Sequence, residues 1–161
     1  MILILFTWLA LQTPVAAATM MSSRSVTEPL PFSNPALNLK GTIRPLPGDR
    51  LQMVTITVGD EPMLAEVRRF RLVSAGGAHY EPIAVGGGDD LILPLDVLPA
   101  GREVGQILPS EAIIALTRTS SSSVMLEAGA RATLAFVFEL PEGAVLRCLR
   151  LPDGNELAVG R

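Results

Sequence analysis

Ala132-Thr133-Leu134-Ala135-Phe136-Val137-Phe138-Glu139-Leu140-Pro141 alternates with period two. Every second residue places Ala132, Leu134, Phe136, Phe138 and Leu140 on one side and Thr133, Ala135, Val137 and Glu139 on the other, which is the signature of a β-strand. The first side carries two of the chain's 5 phenylalanines and two leucines, enough apolar area to anchor a core. Pro141 lacks the N–H that a ladder needs and closes the strand. A central core strand is expected here.

Further strands are expected on both sides of it. Towards the C-terminus, Glu142-Gly143 turns the chain into a run from Val145 to Leu151, and Pro152-Asp153-Gly154-Asn155 turns it again into Glu156 to Val159, a terminal hairpin. Upstream, Ile113 to Arg118 and Val124 to Leu126 read as short strands around the polar loop Thr119 to Ser123. Leu91 to Ser110, broken by prolines and glycines, has room for one or two edge strands. Gly86-Gly87-Gly88-Asp89-Asp90 is expected to be a loop, since consecutive glycines lose too much conformational entropy in a regular element. Ala78 to Val85 is expected to return from Phe70 to Val73 across the turn Ser74 to Gly77. Leu51 to Val58 places Val54, Ile56 and Val58 on a core face and Thr55 and Thr57 on an exposed one, and the first strand is expected between Leu37 and Arg44. No stretch shows sustained helical periodicity. About eight short strands separated by Gly, Pro and Ser turns point to an all-β fold, an antiparallel β-sandwich of about 7–9 strands rather than a barrel.

At 161 residues, 48% of them hydrophobic, the chain suits a single domain able to bury a core without staples. The net charge of -3 argues against a nucleic-acid partner, which calls for a basic face. Of the 13 basic residues only Lys40 is a lysine, a bias with no physical account in recognition. Residues 1–18 resemble an export signal: Ile2 to Leu11 is almost wholly apolar, Pro14 ends the run, and Val15-Ala16-Ala17-Ala18 offers small residues for cleavage. Its n-region has no Lys or Arg, so two alternatives stay open. Residues 1–21 are an uncleaved membrane anchor, or the chain starts at Met20 or Met21. Residues 19–36, rich in Ser, Thr, Pro and Asn, read as a flexible linker, and residues 37–161 as the folded domain. The expected location is secreted or periplasmic, with a membrane-anchored form facing outside the cytoplasm as the alternative.

Two pieces carry a resemblance. Phe70-Arg71-Leu72-Val73, a glycine turn and Tyr80 come first, and Gly129 with Phe136-Val137-Phe138-Glu139-Leu140-Pro141 comes much later. Together they resemble secreted bacterial immunoglobulin-like domains of unknown function, where an F-x-L strand, a glycine turn and a tyrosine precede a late G-x-x-x-x-G-x-x-x-F-E-V-P type strand. Thr133 and Leu134 fill positions where a second glycine is common. The resemblance runs from Leu37 to Leu151, and the mycobacterial secreted immunogenic antigen is a similar case. It implies an immunoglobulin-like sandwich and export, and it brings no catalytic residues.

The inventory of reactive groups is thin. His79, the 1 histidine, has Glu81 two residues on, a spacing compatible with a ligand pair and common by chance. Asp60 with Glu61, and Asp89 with Asp90, are loop carboxylates without the alternation that wraps calcium. Gly86 to Gly88 lacks the Gly-Lys-Ser/Thr ending of a phosphate loop, and Ser120 to Ser123 lacks the flanking glycines of a nucleophile elbow. Arg68, Arg69 and Arg71 could meet an anionic partner, and they read first as the wet face of a strand. Cys148, alone, makes no intrachain disulfide and reads as a small buried apolar residue. The expectation is a non-enzymatic exported module without catalytic, metal or cofactor sites, binding an unknown protein in the cell envelope or outside the cell. The alternative is a metal-dependent or catalytic protein using His79 with loop carboxylates.

Overall fold

A computed structural model of the chain describes residues 18–87, 92–107 and 113–159. Over these residues the fold is all-β. Fifteen strands follow one another: β1 (Ala18–Val26), β2 (Leu30–Asn34), β3 (Leu39–Ile43), β4 (Asp49–Val58), β5 (Met63–Glu66), β6 (Arg71–Ser74), β7 (His79–Tyr80), β8 (Pro82–Gly86), β9 (Ile92–Pro94), β10 (Glu103–Ile107), β11 (Ile113–Arg118), β12 (Val124–Ala128), β13 (Thr133–Pro141), β14 (Leu146–Arg150) and β15 (Glu156–Ala158). They form four sheets, in the orders β1-β4-β13-β8-β9, β10-β11-β12-β5, β15-β14-β6-β7 and β2-β3, and neighbouring strands run antiparallel throughout.

The stretch from Ala132 to Pro141 supplies the middle strand of the five-stranded sheet. β13 pairs with β4 from Thr133↔Thr57 to Pro141↔Asp49 and with β8 on its other side. Leu134, Phe136, Phe138 and Leu140 enter the main apolar core together with Val54, Ile56 and Val58 of β4. Across that core lie Ile114, Leu116 and Leu126 from one four-stranded sheet and Leu72 and Leu149 from the other. One apolar core is thus shared by three of the four antiparallel sheets.

The opposite face of the five-stranded sheet is also covered. Leu51, Met53, Ala84, Ile92, Ala135 and Val137 form a second apolar cluster with Val26 and Leu30, and Ile43 and Ile83 pack against it. Thr55, expected on an exposed face, is consequently buried.

Several boundaries differ from the sequence reading. Residues 19–36 are not a flexible linker: nearly all of β1, all of β2 and the start of a 3₁₀ turn over Pro35–Leu37 lie within them. β1 pairs with β4 along its length, and the burial of Val26 and Leu30 fixes the segment to the core. Leu64 to Val73 is divided by a 3₁₀ turn over Val67–Arg69, which carries the chain from one four-stranded sheet to the other. Only His79 and Tyr80 return against β6, and after Glu81 the chain crosses into the five-stranded sheet as β8. Gly86 ends β8 within a ladder, opposite Ala135 and Ile92. The described residues hold fifteen strands where 7–9 were expected; the two breaks add one strand each and the N-terminal segment adds two. Residues 1–17, which hold most of the export signal, lie outside the described residues, as do Asp89 and Asp90.

Candidate functional site

A cleft of about 600 Å³ opens where the β2–β3 ribbon meets the β8–β9 edge of the central sheet. That volume lies within the range of small-ligand and peptide sites. Phe32 and Ile43 come from the ribbon, Ile83 from β8, and Leu95 and Val97 from the turn after β9. These supply an apolar lining. Arg44, Arg68, Glu81 and Asp96 supply charge of both signs.

Local structure sets each wall. Phe32 stands opposite Gly41 in the β2–β3 register, and a Cβ on Gly41 would come within 2.8 Å of the Phe32 ring. Gly41 therefore lets the ring lie across β3. The ribbon's end is fixed by Asn34, whose side-chain oxygen accepts the Leu37 N–H at 3.2 Å, while Asn38 takes the left-handed conformation with φ of 52°. Opposite, Leu95 N–H donates to Ile83 C=O at 3.0 Å and holds the post-β9 turn against β8. Arg118 of β11 holds the same turn, donating to the carbonyls of Asp96 and Leu98 at 3.2 and 3.0 Å. It also donates to those of Ser120 and Ser121, so one guanidinium ties two loops together.

Arg68 reaches the cleft from the 3₁₀ turn. The Glu66 carboxylate caps that turn by accepting the Arg68 backbone N–H at 3.2 Å. The side chain is different: its Nε is buried and has no hydrogen-bond partner. Leaving a buried donor unsatisfied costs on the order of 1–3 kcal/mol; Nε itself is closed to solvent, so an acceptor in the cleft would meet the rest of the guanidinium. Glu81 is not that acceptor, because its carboxylate is paired with Arg71.

The residues weighed from sequence are distributed widely. His79 is exposed on β7, and Glu81 is engaged by Arg71. Asp60 forms an exposed pair with Arg131 at 3.0 Å, and Glu61 is exposed beside it. Among the described residues no three His, Cys, Asp or Glu side chains gather as a metal site. The run Arg68, Arg69 and Arg71 separates into a cleft residue, an exposed residue and an ion-paired one. Ser120 to Ser123 form the turn that Arg118 holds. Cys148 is buried on β14, paired in register with Val73 and Ala158. On the same strand Arg150 donates to Glu156 at 2.8 Å, and that hydrogen bond holds the Glu156 carboxyl below its ordinary range.

A smaller recess of about 270 Å³ lies at the other edge, among Ser23, Ser25, Arg50 and Gln52. Its polar groups mostly satisfy one another: Gln52 Nε2 donates to Ser23 at 2.7 Å and Ser25 donates to Gln52 Oε1 at 3.2 Å. The amphipathic cleft was not legible in the sequence, since its walls come from segments tens of residues apart. Its one local signal was Arg68 in a charged run. Comparison of the chain with protein-family models, curated proteins and solved structures finds no match.

Proposed function

We propose that this protein is an exported, non-enzymatic immunoglobulin-like module that acts by binding a partner protein in the cell envelope or outside the cell. The observation that carries the binding role is the cleft, whose partly buried apolar side chains sit beside charges of both signs, a composition suited to recognition. The immunoglobulin-like assignment draws on antiparallel sheets sharing one main core, with β4 and β13 as adjacent central strands. Export draws on the apolar, Pro- and Ala-terminated sequence of residues 1–18. Among the described residues no helix is long and apolar enough to cross a membrane.

Photo-crosslinking in intact cells tests this directly. A photoreactive residue at Thr42, exposed on the cleft wall, is expected to give a protein adduct in the envelope or the medium. The same probe at Leu64, exposed on β5 outside the cleft, is expected to give none. Equal labelling from both positions, or a protein confined to the cytoplasm, defeats the proposal.

A further inference from the structure

The cleft's charges are not equivalent. Glu81 is neutralised by Arg71, whereas among the described residues Arg44, Arg68 and Asp96 have no ion-pair partner. Arg68 is half-buried with an unsatisfied Nε, while Arg44 and Asp96 are exposed. A ligand that meets all three presents a carboxylate to the arginines and a donor to Asp96. The β8–β9 wall restricts the ligand further. Pro82 and Pro94 have no N–H, and the Leu95 N–H is committed to Ile83, so these three positions of the wall offer no amide to an added strand. Recognition here falls to side chains.

We propose that the cleft receives the carboxyl terminus of a partner polypeptide. Its α-carboxylate sits on Arg68 with Arg44 beside it, its last apolar side chains lie on Phe32, Ile43, Ile83 and Val97, and its main-chain N–H groups face Asp96. A free apolar acid also satisfies the arginines, but it brings no donor to Asp96 and meets that carboxylate with repulsion alone. The proposal rests on the reading of this protein as a binding module and names the chemistry of the partner.

Fluorescence anisotropy with the full folded chain tests it. The probe is a pool of N-terminally labelled hexapeptides randomised over Val, Leu, Ile and Phe at the last two positions, as free acids and as C-terminal amides. The acids are expected to bind, with the amides weaker by roughly tenfold or more, as loss of a charge-assisted contact requires. Arg68→Gln is expected to abolish the acid–amide difference. Arg69→Gln, at the neighbouring exposed residue, is expected to preserve it. Equal binding of acids and amides overturns the proposal, as does no acid binding at millimolar protein. Displacement of the acids by decanoate at equal concentration also overturns it and assigns the cleft to small apolar acids. Should Arg68→Gln fail to fold, the acid–amide comparison on the unaltered chain and Arg44→Gln, at an exposed site, decide the matter. A partner crosslinked at Thr42 together with equal acid and amide binding leaves the module standing and removes only the terminus.

Discussion

Phe136 is fully buried, and its ring centroid lies 4.4 Å from that of Phe70, with the rings tilted by 31°. One residue thus joins the central sheet, through an aromatic pair, to the segment between the 3₁₀ turn and β6. Phe136→Ala is expected to cost about 3–5 kcal/mol in urea-induced unfolding, because the ring is fully buried and its neighbours in the core close only part of the void. A loss below about 1 kcal/mol would mean that the ring does not anchor this core. The orientation of residues 132–141 was legible because strict period two assigns each side chain without knowledge of its neighbours. Thr55 was not legible. Its polar character suits an open face, whereas that side of the sheet carries an apolar cluster to which Leu30 of β2, far away in sequence, contributes. The three arginines do not share one wet face for a local reason: a 3₁₀ turn over Val67–Arg69 rotates successive side chains by about a third of a turn and replaces the two-residue alternation of a strand. Arg68 reaches the cleft by that rotation.

At the scale of elements, strands with apolar alternation were legible, as β4, β11, β13 and β14 illustrate. β1 escaped because it is an edge strand with polar side chains, and its register shifts between Met20 and Ser22. That bulge switches which parity faces inwards and erases the period-two signal. The β11–β12 turn was legible as the polar loop Thr119 to Ser123, but its link to the post-β9 turn was not, since a side chain from β11 joins the two. Arg118→Met keeps most of the stem and removes the four carbonyl contacts. Loss of about 1–3 kcal/mol is expected, together with faster amide hydrogen exchange at Thr119 and Ser120, whose N–H groups donate to Ser123. Exchange in β13 should change only by the global destabilisation. Uniform acceleration over the whole chain, or none in this turn, would count against Arg118 as a local clamp.

For the whole molecule, the N-terminal segment decides whether the central sheet has both faces and one edge protected. β1 covers the edge of β4, while Val26 and Leu30 close the second apolar cluster. The possible N-termini divide β1 at different points. Cleavage after Ala18 leaves Thr19 onwards, which keeps nearly all of the pairing. A start at Met21 loses the pairs made by Ala18, Thr19 and Met20 but retains Ser22 to Val26 beyond the bulge. A chain beginning at Thr27 loses the whole strand. The three are expected to rank in that order in thermal stability. The Thr27 chain should lose at least about 1.5 kcal/mol from Val26 burial alone and self-associate through the bared β4 edge. Melting curves with size-exclusion chromatography check both expectations. A Thr27 chain that melts with the Thr19 chain and elutes as a monomer would show that β1 adds nothing to the fold, and residues 19–26 would revert to the role of a tether.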